Sequence, residues 1–237
     1  SGASLALSMI IDGCMDRVVI NDYDRSIYAF WECALHQTES LIEKIIDTPV
    51  TIEEWKRQRD IQKNKATASV LDLGFSTFFL NRTNRSGILK AGVIGGLEQA
   101  GAYKIDARFN KDVLIKKIQS IACYRDRIIV SNFDAIHLLS RYKNVASKNL
   151  FFLDPPYYVK GRDLYVNYYK EADHIALAQS IQGRKRINWL MTYDEHPQIL
   201  DMYSKCNISR FQLSYSAGES KQGTELLISS SGLLIPR

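Results

Sequence analysis

Chemistry concentrates where a hydrophobic run, Leu150-Phe151-Phe152-Leu153, gives way to Asp154-Pro155-Pro156-Tyr157-Tyr158. An acid, two prolines and an aromatic at the carboxyl end of a core strand stand where open α/β sheets bind ligands. The Asp154 carboxylate and the Pro155 carbonyl are neighbouring hydrogen-bond acceptors. Pro156 brings no N–H to compete for that carbonyl, both rings stiffen the loop, and Tyr157 adds a flat aromatic face. An Asp capping a proline turn accounts for Asp-Pro, but not for Pro-Pro-Tyr following at once. By composition alone such a tetrapeptide turns up in on the order of one chain in a thousand of this length.

A second constellation lies at the front of the chain. Gly2 begins a small turn, an apolar run through Leu5, Ala6, Leu7, Met9 and Ile10 follows as a short helix, and Arg17-Val18-Val19-Ile20 reads as a buried strand ending in Asn21-Asp22. A glycine turn, a helix, a strand and an acid about 20 residues past the glycine is the spacing of a nucleoside-binding α/β half. The turn would let backbone approach a ligand, and an acid at the strand end can accept both ribose hydroxyls. A plain helix start followed by a strand-end Asp cap fits the same residues. The sequence opens on Ser1 without Met and with no charged segment before the apolar run. The chain is therefore expected to start inside an element, with an upstream portion absent and no signal peptide.

These residues need a scaffold, and the rest of the pattern describes one. Residues 24 to 47 read as one long amphipathic helix. Thr51 to Asn64 reads as a charged helix, Val70 to Leu80 as an apolar one ending at Asn81-Arg82, and Asn110 to Tyr124 as a third. Between the last two, Gly87, Gly92, Gly95, Gly96 and Gly101 interleave with Ile88, Leu89, Val93 and Ile94, which is loop and hairpin chemistry. The α/β rhythm then returns: strands at 128–130, 150–153 and 187–193, helices at 133–142, from about Asp173 and over 196–205, and two closing strands at 208–215 and 225–230 joined through Gly218 and Gly223. Alternating strands and helices argue a parallel sheet, with the last two strands as an antiparallel edge hairpin. There is no internal repeat and no low-complexity tract.

Charge is unevenly spread. Of a net +5, residues 51 to 125 hold 14 Lys+Arg against 7 Asp+Glu, which leaves −2 for the rest. That excess is either a solvated helical face or a phosphate-facing surface set into a slightly acidic domain. The 46% hydrophobic content excludes wholesale disorder, no apolar stretch approaches a membrane span, and Cys14, Cys33, Cys123 and Cys206 form no CxxC pair. A reduced, cytoplasmic, metal-free protein is expected. His36, His137, His174 and His196 lack metal-ligand spacing and read as structural or surface histidines. Residues 158 to 170, rich in cations and tyrosines and including Lys160, read equally as a loop closing over a ligand and as an amphipathic connector. Gly183-Arg184-Lys185-Arg186 reads as a solvated turn.

The Asp154 to Tyr157 tetrad resembles the DPPY motif of amino-group methyltransferases, and nearly the whole chain resembles the Dam-like DNA adenine-N6 methyltransferases. Gly2-Ala3-Ser4-Leu5 resembles the second half of that family's glycine-rich motif, and Asn21-Asp22 its ribose-binding acid. Phe79-Leu80-Asn81-Arg82 and Arg85-Ser86-Gly87 resemble its target-recognition region, and Asn132-Phe133 its strand-end pair near the adenines. The resemblance implies an α/β fold: a seven-stranded, Rossmann-like sheet of the S-adenosylmethionine-dependent methyltransferase type, with an inserted, mainly helical target-recognition region. Residues 1-48 and 126-237 would form the catalytic domain and 49-125 the insertion.

The implied activity is methyl transfer from S-adenosylmethionine to N6 of adenine in a short DNA sequence, without a metal. Asp154, Pro155, Pro156 and Tyr157 would be catalytic. Gly2, Ala3, Asp22, Asn132 and Phe133 would contact the donor, and Arg82, Arg85, Lys90, Lys104, Arg108 and Lys160 would contact DNA. Adenine N6 is a poor nucleophile and sits inside the duplex, so the base must be extruded, at a cost of a few kcal/mol. Double-stranded DNA is the implied partner and a companion restriction endonuclease a further one; no membrane partner is implied, and the oligomeric state stays open. Upstream of Gly2 the family has a further strand and a segment flooring the donor's methionine end, so on this resemblance the chain is N-terminally truncated. Asn132 stands where some relatives have Asp. Two other readings remain: a catalytically silent DNA-binding or regulatory subunit, and an amino-methyltransferase acting on RNA or on cytosine N4.

Overall fold

The runs of β-branched and aromatic residues become strands, and the acids and prolines that follow them stop those strands. The computed structural model describes residues 3–142, 149–159, 169–184, 187–215 and 221–233, and the side chains of all of these but 213–215 and 221–222. The chain divides into two compact units, Ser1–Phe133 and Asp134–Arg237.

In the first unit, α1 (Ser4–Ile11) leads to β1 (Val18–Asn21), which pairs in parallel with β2 (Ile128–Ser131), Val18 opposite Ile128 and Asn21 opposite Ser131. Between these strands run α2 (Arg25–His36), α3 (Thr38–Asp47), α4 (Ile52–Lys63), α5 (Val70–Thr83) and α6 (Lys111–Ala122). Their starts follow local chemistry. Asp24, Thr51, Ser69 and Asn110 each accept a backbone N–H of the first turn, the capping that satisfies donors with no partner inside a helix.

The long helix expected over 24–47 is in fact two. Gln37, at φ −130° and ψ 40°, breaks it, and the Thr38 hydroxyl donates to the Ala34 carbonyl at 2.9 Å across the break. The bend lets one sequence serve two cores. Trp31 and Leu35 close a cluster with Ile10, Val18, Ile20 and Ile128 beside the strand pair, while Cys33, Ala34, Leu41 and Ile45 join Phe75, Phe78, Phe79, Leu80, Phe109 and Ile118.

Helix α5 approaches α2 at Gly74, where a Cβ would stand 2.6 Å from the Ala29 carbonyl oxygen, so no larger residue fits. A buried polar ladder ties α4 to both helices. The Gln62 amide N–H groups donate to Ser76 and Thr77, and the Ser26 hydroxyl donates to Gln62.

The second unit holds α7 (Ala135–Arg141), β3 (Leu150–Leu153), α8 (Glu171–Gln182), β4 (Asn188–Asp194), α9 (Pro197–Met202), β5 (Asn207–Tyr215) and β6 (Lys221–Ser229). The sheet order is β3-β4-β6-β5, with β3 parallel to β4 and the last two strands antiparallel, the closing hairpin that the sequence predicts. Gly223 does not lie in its turn. It sits inside β6 opposite Leu213, so that strand begins before Glu225. Alternate residues of β4, Trp189, Met191 and Tyr193, point into a core with Leu177, Ile181, Ile199, Tyr203, Leu226 and Ile228. Apart from the early start of β6, the six strands among the described residues fall close to where the sequence puts them, and with the helices they make a mixed α/β fold.

Candidate active site

Strand β3 comes first in the β3-β4-β6-β5 order of the described residues and stops at Leu153, because the two prolines that follow Asp154 cannot donate to a ladder. Pro155 is buried and Asp154 exposed, so the turn is anchored by its ring and presents its acid. The Thr192 hydroxyl on β4 donates to Asp154 Oδ1 at 2.9 Å. Three donors that follow the prolines are held by acids. The Tyr157 hydroxyl donates to Glu225 on β6, and the N–H groups of Tyr158 and Val159 donate to the two oxygens of Asp194 at 2.7 and 3.0 Å.

Below the loop lies an aromatic and imidazole cluster. The Tyr158 ring stacks on His196 at 4.4 Å and leans on His174 at 5.0 Å, and His174 Nδ1 meets the Tyr193 hydroxyl at 2.8 Å. Burial pushes the His174 pKa below its ordinary value, an effect that the charges of Asp194 and Asp173 oppose. Burial also raises the Tyr193 hydroxyl far above its usual range and pushes Tyr203 up beyond it. These aromatic and imidazole rings pack together beneath the loop.

In the first unit the predicted donor-binding residues gather at the start of α1 and at the exit of β1 and β2. Ala3, at the start of α1, adopts φ 66° and ψ 5°, a left-handed turn, and its methyl cannot cap the helix. That backbone suits glycine better than alanine. Asp22 lies just past β1, and its Oδ1 accepts the Asp24 N–H at 2.8 Å.

Asn21 mimics a strand partner. Its Oδ1 accepts the Phe133 N–H at 2.9 Å while its Nδ2 donates to the Phe133 carbonyl at 2.9 Å. The Asn132 amide donates to the carbonyls of Asp22 and Tyr23 at 2.6 and 3.0 Å, so Asn132 holds the loop that carries the acid. Gly2 lies outside the described residues, as does Lys160 with residues 161–168 that follow it.

The predicted DNA-contacting residues separate into two groups. Arg82 and Arg108 are half-buried and turned inward on Asn81: Arg82 donates to its side-chain oxygen, Arg108 donates to its carbonyl at 2.9 Å, and Asn81 in turn donates to the Gly87 carbonyl. Burial and the neighbouring Arg108 charge lower the Arg82 pKa. Arg85, Lys90 and Lys104 are exposed.

The glycine-rich segment is not a hairpin. A single bridge, Asn84 to Val93, and successive turns shape it, because the buried Asn84 donates to the carbonyls of Ile88 and Leu89, each at 3.0 Å, and closes the chain on itself. Two residues that the sequence reading did not single out stand out here, Tyr103 at 75% exposure and Leu97 at 55%. Large apolar side chains among glycines and next to Lys104 were the available signal.

Among the described residues no helix is long and apolar enough to cross a membrane, and no group of three or more His, Cys, Asp or Glu could hold a metal ion. No curated protein matches the chain. A family model described as D12 class N6 adenine-specific DNA methyltransferase matches residues 4–217, a span that takes in the β1 exit, the glycine-rich loop and the Asp154 tetrad. The chain therefore belongs to the D12 class of N6-adenine-specific DNA methyltransferases.

Proposed function

We propose that this chain transfers a methyl group from S-adenosylmethionine to N6 of an adenine rotated out of double-stranded DNA, and that Asp154, Pro155, Pro156 and Tyr157 receive that base. The observation that carries this reading is the Asp154 turn itself: an exposed carboxylate, oriented by Thr192 and stiffened by a buried proline, beside a peptide carbonyl and a tyrosine ring. The lone pair of adenine N6 is delocalised into the ring. Asp154 and the Pro155 carbonyl each accept one N–H, drawing the nitrogen toward tetrahedral geometry and aiming its lone pair away from both acceptors. The proton that must leave then lies on a hydrogen bond to Asp154. Tyr157 stacks on the base, and contact of that kind, worth roughly 1–3 kcal/mol per base, offsets much of the cost of extrusion.

The donor supplies an electrophilic methyl on a sulfonium. Gly2 and Ala3 at the turn, Asp22 toward ribose hydroxyls, and Asn132 and Phe133 framing the Asp22 loop would hold it. The left-handed turn at Ala3 and the fixed rotamer of Asp22 support that assignment. Residues 1–48 and 126–237 would carry this chemistry and 49–125 would meet the duplex. Arg85, Lys90 and Lys104 would reach phosphates, while Arg82 and Arg108 shape the loop. Tyr103 and Leu97, exposed beside these cations, suit contact with base faces.

A tritiated-methyl transfer assay on unmethylated bacterial DNA tests the reading. Wild type should incorporate label and Asp154→Ala should not, while DNA binding is kept; label incorporated by the variant would remove Asp154 from the site. Arg85→Ala should weaken DNA binding and lower the slope of log affinity against log salt by about 1. An unchanged salt titration would refute that contact.

A further inference from the structure

The Asp154 turn has an anchoring problem that its own sequence creates. Pro155 and Pro156 have no N–H, so the backbone leaving β3 cannot donate a hydrogen bond until Tyr157. Past the prolines, three donors of the loop are held by side chains: the Tyr157 hydroxyl and the N–H groups of Tyr158 and Val159. All three land on acids. Asp194 takes the two N–H groups, one on each oxygen, and Glu225 takes the hydroxyl.

Asp194 and Glu225 face each other across the antiparallel β4 and β6 pair. Two acids directly opposite are an unfavourable cross-strand pair, and Glu225 is only 3% exposed. The sheet gains nothing from this pairing, whereas the loop gains its anchors. Because β4 lies between β3 and β6, Tyr157 must lean across the end of β4 to reach Glu225.

We infer that Glu225 is a positioning residue, which with Asp194 sets the Tyr157 ring before a base arrives. The inference rests on the reading that Tyr157 stacks on the target adenine. Asp194 fixes the backbone just past Tyr157, Glu225 fixes the far end of its side chain, and the ring between them keeps one orientation. A ring ordered in advance requires no ordering when the base enters, so the effect falls on turnover rather than on DNA affinity.

A double-mutant cycle in the same transfer assay tests it, with kcat, KM for DNA and thermal stability measured on each variant. Tyr157→Phe removes the hydroxyl and keeps the ring; Glu225→Ala removes the acceptor. Each should lower kcat about tenfold, the value of one hydrogen bond of this kind. KM for DNA should change less than about twofold, and the double variant should be no slower than either single one. Glu225→Gln, which keeps an oxygen for the hydroxyl, should recover most of the loss.

Losses that multiply in the double variant, or a wild-type kcat for Tyr157→Phe, would overturn the inference. Should Glu225→Ala fail to fold, Tyr157→Phe and Glu225→Gln decide alone, since the first leaves the sheet untouched. Asp154→Ala separates the two levels. If it is inactive while Tyr157→Phe is unimpaired, the proposed function stands and the positioning role falls; if it is active, both fall.

Discussion

Two strand exits in this chain carry acids, and they are built in opposite ways. At the end of β1 and β2 the frame is made of neutral amides: Asn21 pairs with both backbone groups of Phe133, and Asn132 donates to the carbonyls of Asp22 and Tyr23. At the end of β3 the frame is made of acids and one threonine, with Asp194, Glu225 and Thr192 beneath the tetrad. The difference follows from what each exit exposes. The β1 and β2 ends present N–H and C=O groups together, and an asparagine side chain satisfies both. Past the prolines at the β3 exit, the groups held are donors, the Tyr157 hydroxyl and the N–H groups of Tyr158 and Val159, and donors call for carboxyl acceptors. An acid that does chemistry is thus held by whatever complements the backbone beside it.

Breaking the amide frame should have the largest effect. Asn21→Ala removes both contacts to Phe133 and an acceptor for the Ser131 hydroxyl, and is expected to destabilise the first unit by about 2–3 kcal/mol in urea denaturation. A loss below about 0.5 kcal/mol would mean that water replaces the frame at no cost. Asp194→Ala should come next. It leaves the Tyr158 and Val159 N–H groups without their acceptor, at about 1–2 kcal/mol, and should slow turnover along with the loss. Stability loss with unaltered kcat would show that the acid frame supports the fold alone.

Ala3→Gly sharpens the comparison from the other side, since it relieves a left-handed alanine. It is expected to raise stability slightly, by about 1 kcal/mol at most. A decrease would show that the Ala3 methyl is needed where it packs against the core cluster beside the strand pair.

The smallest effect concerns the floor beneath the acid frame. His174 has a folded pKa lowered from 6.5 by burial, so below about pH 6.5 the unfolded chain takes up a proton that the folded chain refuses. The neutral form's contribution is therefore present above that pH and is lost as pH falls from 6.5 toward the lowered folded value. The melting temperature should decline over this window, and His174→Gln should flatten the decline. An equal decline in both proteins would assign it to other groups.

What the sequence made legible were features carried by neighbouring residues. Leu150 to Tyr157 announces a strand, its stop and an acid in eight letters, and Asp24, Thr51, Ser69 and Asn110 announce helix starts because a cap acts within one turn. Features set by partners distant in sequence were not legible. Nothing near Glu225 marks it as the acceptor for Tyr157, and nothing near Gln37 says that α2 must bend to serve two cores. The cations of 51–125 read as one group in sequence, yet Arg82 and Arg108 converge on Asn81 while Arg85, Lys90 and Lys104 face solvent. The hairpin expected among the glycines failed because Asn84 offers its carbonyls a nearer donor than a second strand would.

The central claim is that the Asp154 carboxylate grips the amine of an adenine. Its most direct measurement is to incubate wild type and Asp154→Ala with unmethylated DNA and labelled S-adenosylmethionine, digest the DNA to nucleosides and identify the labelled base. Wild type should yield N6-methyladenine and the variant none, with equal DNA binding by both. Label on N6 produced by the variant at a comparable rate, or label on cytosine from wild type, would contradict it.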